Sequence, residues 1–68
     1  VAVQKEQVAV AALPEYLRRR GAVFHRDRST DQAHIYELPA MKRWAKVYRV
    51  APTTVVVEYH ATCPCSSM

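Results

Sequence analysis

Residues 54–61 read Thr-Val-Val-Val-Glu-Tyr-His-Ala and form the most β-prone stretch of the chain. Branching at Cβ stiffens Val and Thr against helix, whereas a pleated surface packs them well. Whatever this chain folds into must give that strand neighbours. The chain has 68 residues, 50% of them hydrophobic, which argues for a folded chain with one thin core. A chain of about 60 residues buries only about 60% of the surface its unfolded form exposes, so two separate cores are excluded and a partner, a second copy or a metal would add stability.

Ahead of that strand, segments 22–28, 34–38 and 43–50 are divided by Ser29-Thr30-Asp31-Gln32, by Pro39-Ala40-Met41-Lys42 and finally by Ala51-Pro52-Thr53. Short β-prone segments punctuated by turn-formers have the rhythm of an antiparallel meander. The N-terminal third differs. The chain's one glycine, Gly21, follows Leu17-Arg18-Arg19-Arg20, where a helix ends on a residue that tolerates positive φ. Pro14 suits a first helical position, Glu15 the positive end of the helix dipole and the arginines its negative end, so the spacing predicts a helix over 14–20. Val3, Val10, Leu13 and Leu17 continue helical spacing upstream, although Pro14 forces any earlier helix to end or kink and leaves a strand over 8–10 as the alternative. The expected architecture is one small α+β domain over residues 1–62, a helical N-terminus packed on an antiparallel meander of three or four strands. A C-terminal tail over 63–68 follows.

Ten Lys and Arg against six Asp and Glu give a net charge of +4. Two basic clusters, Arg18, Arg19 and Arg20 in one and Lys42, Arg43, Lys46 and Arg49 in the other, flank a mixed centre that holds Arg26 and Arg28, and Lys5 lies near the start. Such groups attract phosphate, anionic lipid or acidic protein without distinguishing among them. Alternation along 43–50 places Trp44, Lys46, Tyr48 and Val50 on one face and Arg43, Ala45, Val47 and Arg49 on the other. With Ala45 and Val47 toward the helix, Trp44, Lys46 and Tyr48 make an exposed row that can stack unpaired bases and neutralise phosphate. With Trp44 and Tyr48 inward instead, they are the largest pieces of a small core that can hardly spare its only Trp.

These features lead us to expect a non-enzymatic basic binding protein that contacts nucleic acid or a nucleoprotein complex. Arg18, Arg19, Arg20, Lys42, Arg43, Lys46 and Arg49 would neutralise phosphate, and Trp44 and Tyr48 would stack. The competing expectation is a compact inhibitor or adaptor, of the size found on phages and mobile elements, that docks its edge strands and basic face on an acidic protein surface. An uncovered last strand, 54–61, would also pair with its twin, which leaves a homodimer open.

The string Ala45-Lys46-Val47-Tyr48-Arg49-Val50-Ala51-Pro52-Thr53-Thr54-Val55 resembles a helix-turn-helix motif. Ala45, Val50, Thr54 and Val55 stand where that motif places its inner Ala, its turn hydrophobe and the start of its second helix. The resemblance implies a DNA-binding regulator with Thr53, Thr54, Glu58 and His60 toward the groove. Arg49 stands where the tight turn favours Gly, and the β-branched run from Thr54 opposes a second helix.

Cofactor chemistry has little to work with. A lone glycine excludes phosphate-cradling loops, the dinucleotide fingerprint and the nucleophile elbow, all of which need glycines at fixed offsets. His25, His34 and His60 pair readily with carboxylates such as Asp27 or Asp31 without forming a motif. His60, Cys63 and Cys65 are suitable zinc ligands, but one residue between the cysteines is too few for the common knuckles, so no metal is expected. Cys65-Ser66-Ser67-Met68 has the outline of a prenylation box without basic residues immediately upstream. A bridge between Cys63 and Cys65 would close a strained ring, and no apolar run approaches the roughly 18 residues of a membrane span. A reducing, cytoplasmic setting without membrane association is therefore the expectation.

Overall fold

A computed structural model describes residues 4–62 and Pro64. Among these residues five antiparallel strands form one sheet: β1 (Gln4–Ala9), β2 (Val23–Phe24), β3 (Ala33–Leu38), β4 (Arg43–Ala51) and β5 (Thr54–His60), in the order β1-β5-β4-β3-β2. Between β1 and β2 a 3-10 turn, Val10–Ala12, runs directly into a short helix, α1 (Leu13–Arg19). The chain is thus mostly sheet, which corrects the expected helical N-terminus on three or four strands. Residues 4–9 are a strand paired with β5 along its length, from Gln4 opposite Tyr59 to Ala9 opposite Thr54. The physical reason lies in β5. An interior strand needs a hydrogen-bonded neighbour on each side, and β1 supplies the second one although Val8 is its only buried residue.

The 45–55 segment that resembles a helix-turn-helix is a β-hairpin, with β4 and β5 joined at Pro52 and Thr53. That reading is corrected by the same β-branched residues that oppose a second helix. A register shift between Arg49 and Ala51 marks a bulge near the turn and leaves Val50 exposed. Because β5 lies between β1 and β4, its backbone offers no free edge to a twin; the outer strands are β1 and β2.

Helix α1 starts one residue before the expected boundary and ends as its sequence dictates. The amide of Ala22 donates to the Leu17 carbonyl at 3.0 Å and that of Gly21 to the Arg18 carbonyl at 3.1 Å, while Gly21 takes φ 63°. This is a Schellman closure, in which a left-handed residue lets two orphan carbonyls be satisfied. Strands β1 and β2 run in the same direction at opposite edges, so the connection through α1 crosses one face of the sheet. Beneath it lie Val8, Leu38, Ala45, Val47, Val55, Val57 and Tyr59, with Leu13, Tyr16 and Ala22 packed against them. Tyr16 fastens the helix: its phenol donates to Glu6 Oε2 at 2.7 Å and is also hydrogen-bonded to the Tyr59 hydroxyl.

The β2 edge is irregular. After two residues it gives way to a 3-10 turn, Arg26–Arg28. The rest of the β3 edge is satisfied by the His25 amide on the Ile35 carbonyl at 2.9 Å, the Thr30 amide on the Ala33 carbonyl at 2.8 Å, and Ser29 Oγ, which accepts from the Ile35 amide at 2.9 Å. Short, interrupted edges resist edge-to-edge pairing. Among the described residues no helix is long and apolar enough to cross a membrane. The tail over 63–68, with Cys63 and Cys65, lies outside the described residues apart from Pro64.

Candidate binding face

Strand β4 alternates as its sequence indicates, and the position of α1 decides what the alternation means. Ala45 and Val47 lie in the core under the helix, 0% and 5% exposed. Trp44, Lys46 and Tyr48 therefore stand on the opposite face, half-buried among their neighbours and away from α1. Across β5 the row meets His60, Glu58 and Val56 in register, and across β3 it meets Glu37, Ile35 and Ala33. Lys5 on β1 continues the file beyond Glu58.

Glu58 is the electrostatic centre of this face. Burial alone would push its carboxyl up, but hydrogen bonds from Tyr48 and His60 and the charges of Lys5 and Lys46 outweigh burial and hold it below the usual carboxylate range. His60 Nε2 lies 3.2 Å from Glu58 Oε1, and Lys5 Nζ lies 3.9 Å from Oε2. The Tyr48 phenol is raised in turn, first by its hydrogen bond to Glu58 and then by burial and the carboxylate charge. The sequence offers Glu58 only in the helix-turn-helix reading, His60 there and as a zinc or carboxylate partner, and Lys5 in none of these. Alternation along 54–61 carries the signal for Glu58 and His60, since Val55, Val57 and Tyr59 claim the other face. Nothing local announces Lys5, which arrives only because β1 pairs with β5.

The two aromatic ends of the row differ. The His25 ring sits on Trp44 with centroids 4.6 Å apart, and the Arg28 guanidinium lies 5.6 Å from the indole centroid. His25 Nε2 is 3.2 Å from Glu37 Oε1, while Asp27 Oδ1 is 4.0 Å from Nδ1. At the other end, Lys46 Nζ lies 5.9 Å from the Tyr48 ring centroid.

The remaining candidates are not brought to this face. Arg43 and Arg49 project from β4 toward the α1 side, near opposite ends of the strand. Arg18 and Arg19 pair with Glu15 at 3.9 Å and 3.2 Å, and Arg20 stacks 3.7 Å from the Tyr16 ring centroid. Lys42 occupies the turn between β3 and β4 with φ 53°. The end of α1 leads through Ala22 into β2 beside Glu37, so Arg18, Arg19, Arg20, Lys42 and Arg43 gather at one end of the sheet, the end nearer Trp44. Among the described residues no group of three or more His, Cys, Asp or Glu side chains is placed to hold a metal ion. Comparison with protein-family models, with curated proteins and with solved structures found no match to this chain.

Proposed function

We propose that this is a non-enzymatic nucleic-acid-binding protein that takes an unpaired strand across the face of its sheet opposite α1. The observation that carries the reading is the row Trp44, Lys46 and Tyr48 opposite α1, an aromatic, a cation and an aromatic at strand spacing. Bases without partners expose their faces and stack on such rings, while a duplex keeps its bases stacked on one another. Beyond Trp44 the row points to the basic end, where Lys42 and Arg43 carry no ion pair among the described residues and can follow the backbone. Lys46 and Lys5 share their charge with Glu58, so stacking supplies more of the affinity on the face itself and the basic end supplies the salt dependence.

The test is a titration of Trp44 fluorescence with single-stranded and duplex oligonucleotides at two salt concentrations, paired with a mobility shift. Single strands should bind in preference to duplex, and Tyr48→Ala should weaken binding about tenfold. Replacing Lys42 and Arg43 together by Ala should flatten the slope of log affinity against log salt by about 1.4, two contacts at about 0.7 each. Silence at low salt in both assays, or an unchanged affinity in Tyr48→Ala, would overturn the reading. The second reading, a compact inhibitor or adaptor on an acidic protein surface, draws support from the β2 edge, where Val23 and Phe24 are 48% and 47% exposed beside Arg26. Affinity capture would follow if oligonucleotides fail to bind.

A further inference from the structure

We infer that residues 25–28 act as a strap that occupies the stacking surface of Trp44 in the free protein, leaving one open stacking position at Tyr48 until the strap lifts. This rests on the nucleic-acid reading above and says which part of the face a strand engages first. The argument begins with the groups that touch the indole. An imidazole 4.6 Å away at an interplanar angle of 57° and a guanidinium 5.6 Å away take up ring surface in the way a base would. Both come from one segment, the turn that interrupts the β2 edge.

The backbone of the strap is anchored, and the side chain of its histidine is held lightly. That backbone is tied to β3 by the His25 amide on the Ile35 carbonyl, and by Ser29 Oγ, which donates to the His25 carbonyl at 2.8 Å and accepts from the Ile35 amide. The backbone thus stays while side chains swing. What holds His25 over Trp44 is its contact with Glu37, whose side chain is 42% exposed, and the longer one with Asp27, 77% exposed. Polar contacts this open to solvent are worth less than a base stacked on indole, so a bound strand can displace the histidine. By contrast, among the described residues no ring from another segment lies against Tyr48, and its hydroxyl is hydrogen-bonded to Glu58.

The strap predicts that Trp44 matters little to binding while His25 covers it and much once His25 is gone. The experiment is a double-mutant cycle read by anisotropy of a labelled thymidine hexanucleotide, with acrylamide quenching of Trp44 in the free protein as a reading without ligand. Trp44→Ala in the wild-type background should change affinity less than about threefold, and in a His25→Ala background it should cost about tenfold. His25→Ala alone should expose Trp44 to acrylamide and tighten binding about three- to tenfold, the share of the population that the strap withholds. Glu37→Gln, which keeps the size of the anchor and removes its charge, should move both readings the same way and guards against a fold defect in His25→Ala. If the wild type binds but Trp44→Ala costs the same in both backgrounds, or both anchor variants leave quenching unchanged, the strap is overturned and the nucleic-acid reading stands. If neither the wild type nor any variant binds, the functional reading falls and takes this inference with it.

Discussion

Tyr16 of α1 and Glu6 of β1 meet at 2.7 Å, phenol to carboxylate, and the same phenol is hydrogen-bonded to Tyr59 of β5. The contact ties the helix to both strands at one edge of the sheet, across the face it covers. A hydrogen bond of this kind contributes about 1 kcal/mol net, the carboxylate's solvent exposure cancelling much of the bonus for charge. Tyr16→Phe should lower the unfolding free energy by that amount, read as a lower urea midpoint with an unchanged m-value, the ring packing being kept. An unchanged midpoint would show that the helix is held by apolar contact alone.

The polar groups give stability a pH dependence with two limbs. Tyr36 is raised by burial, Tyr59 by burial together with the charge and hydrogen bond of Glu6, and Tyr48 by its hydrogen bond to Glu58 with burial and charge added. A folded pKa above the unfolded value of 10.0 means that the neutral form is favoured in the fold, so this stability is whole below pH 10.0 and is lost as pH climbs through the raised values. Glu58 has the opposite sign: lowered from 4.5, it contributes stability above that pH and loses it as pH falls through its folded value. Urea midpoints across the pH range should fall at both extremes. Glu58→Gln should flatten the acid limb and bring tyrosinate absorbance up at lower pH through Tyr48; an acid limb unaltered in that variant would remove Glu58 from the account.

Among the described residues two adopt left-handed backbone, and one of them is a glycine. Gly21 has φ 63° with open space where a Cβ would stand, so Gly21→Ala should cost about 1 kcal/mol of backbone strain and nothing in clashes. Lys42 has φ 53° and bears that strain already, so Lys42→Gly should be neutral to stabilising by up to about 1 kcal/mol after the added freedom of the unfolded chain is subtracted. Thermal melts of the two variants should shift in opposite directions or, for Lys42→Gly, not at all; a large loss in Lys42→Gly would mean that its side chain packs.

Local chemistry was legible along much of the chain. Pro14, the arginines and Gly21 placed α1 to within a residue at each end, because caps and left-handed closures act over one turn. Turn-formers bounded β3, β4 and β5 because Pro and the polar turn residues act on their own backbone. Only two residues of segment 22–28 became strand, since that segment is an edge whose remaining hydrogen bonds Ser29, Thr30 and His25 satisfy irregularly.

By itself the sequence determined the position of the helix, the strand character of its second half and the two-sided alternation of residues 43–50. Tertiary structure alone decided that Gln4–Ala9 is a strand, since Gln-Lys-Glu-Gln-Val-Ala has little apolar periodicity and becomes β only against the unpaired flank of β5. It also decided that Ala45 and Val47 face the core and Trp44, Lys46 and Tyr48 do not. Alternation says which side chains share a face, but only a helix laid across the sheet says which face is dry.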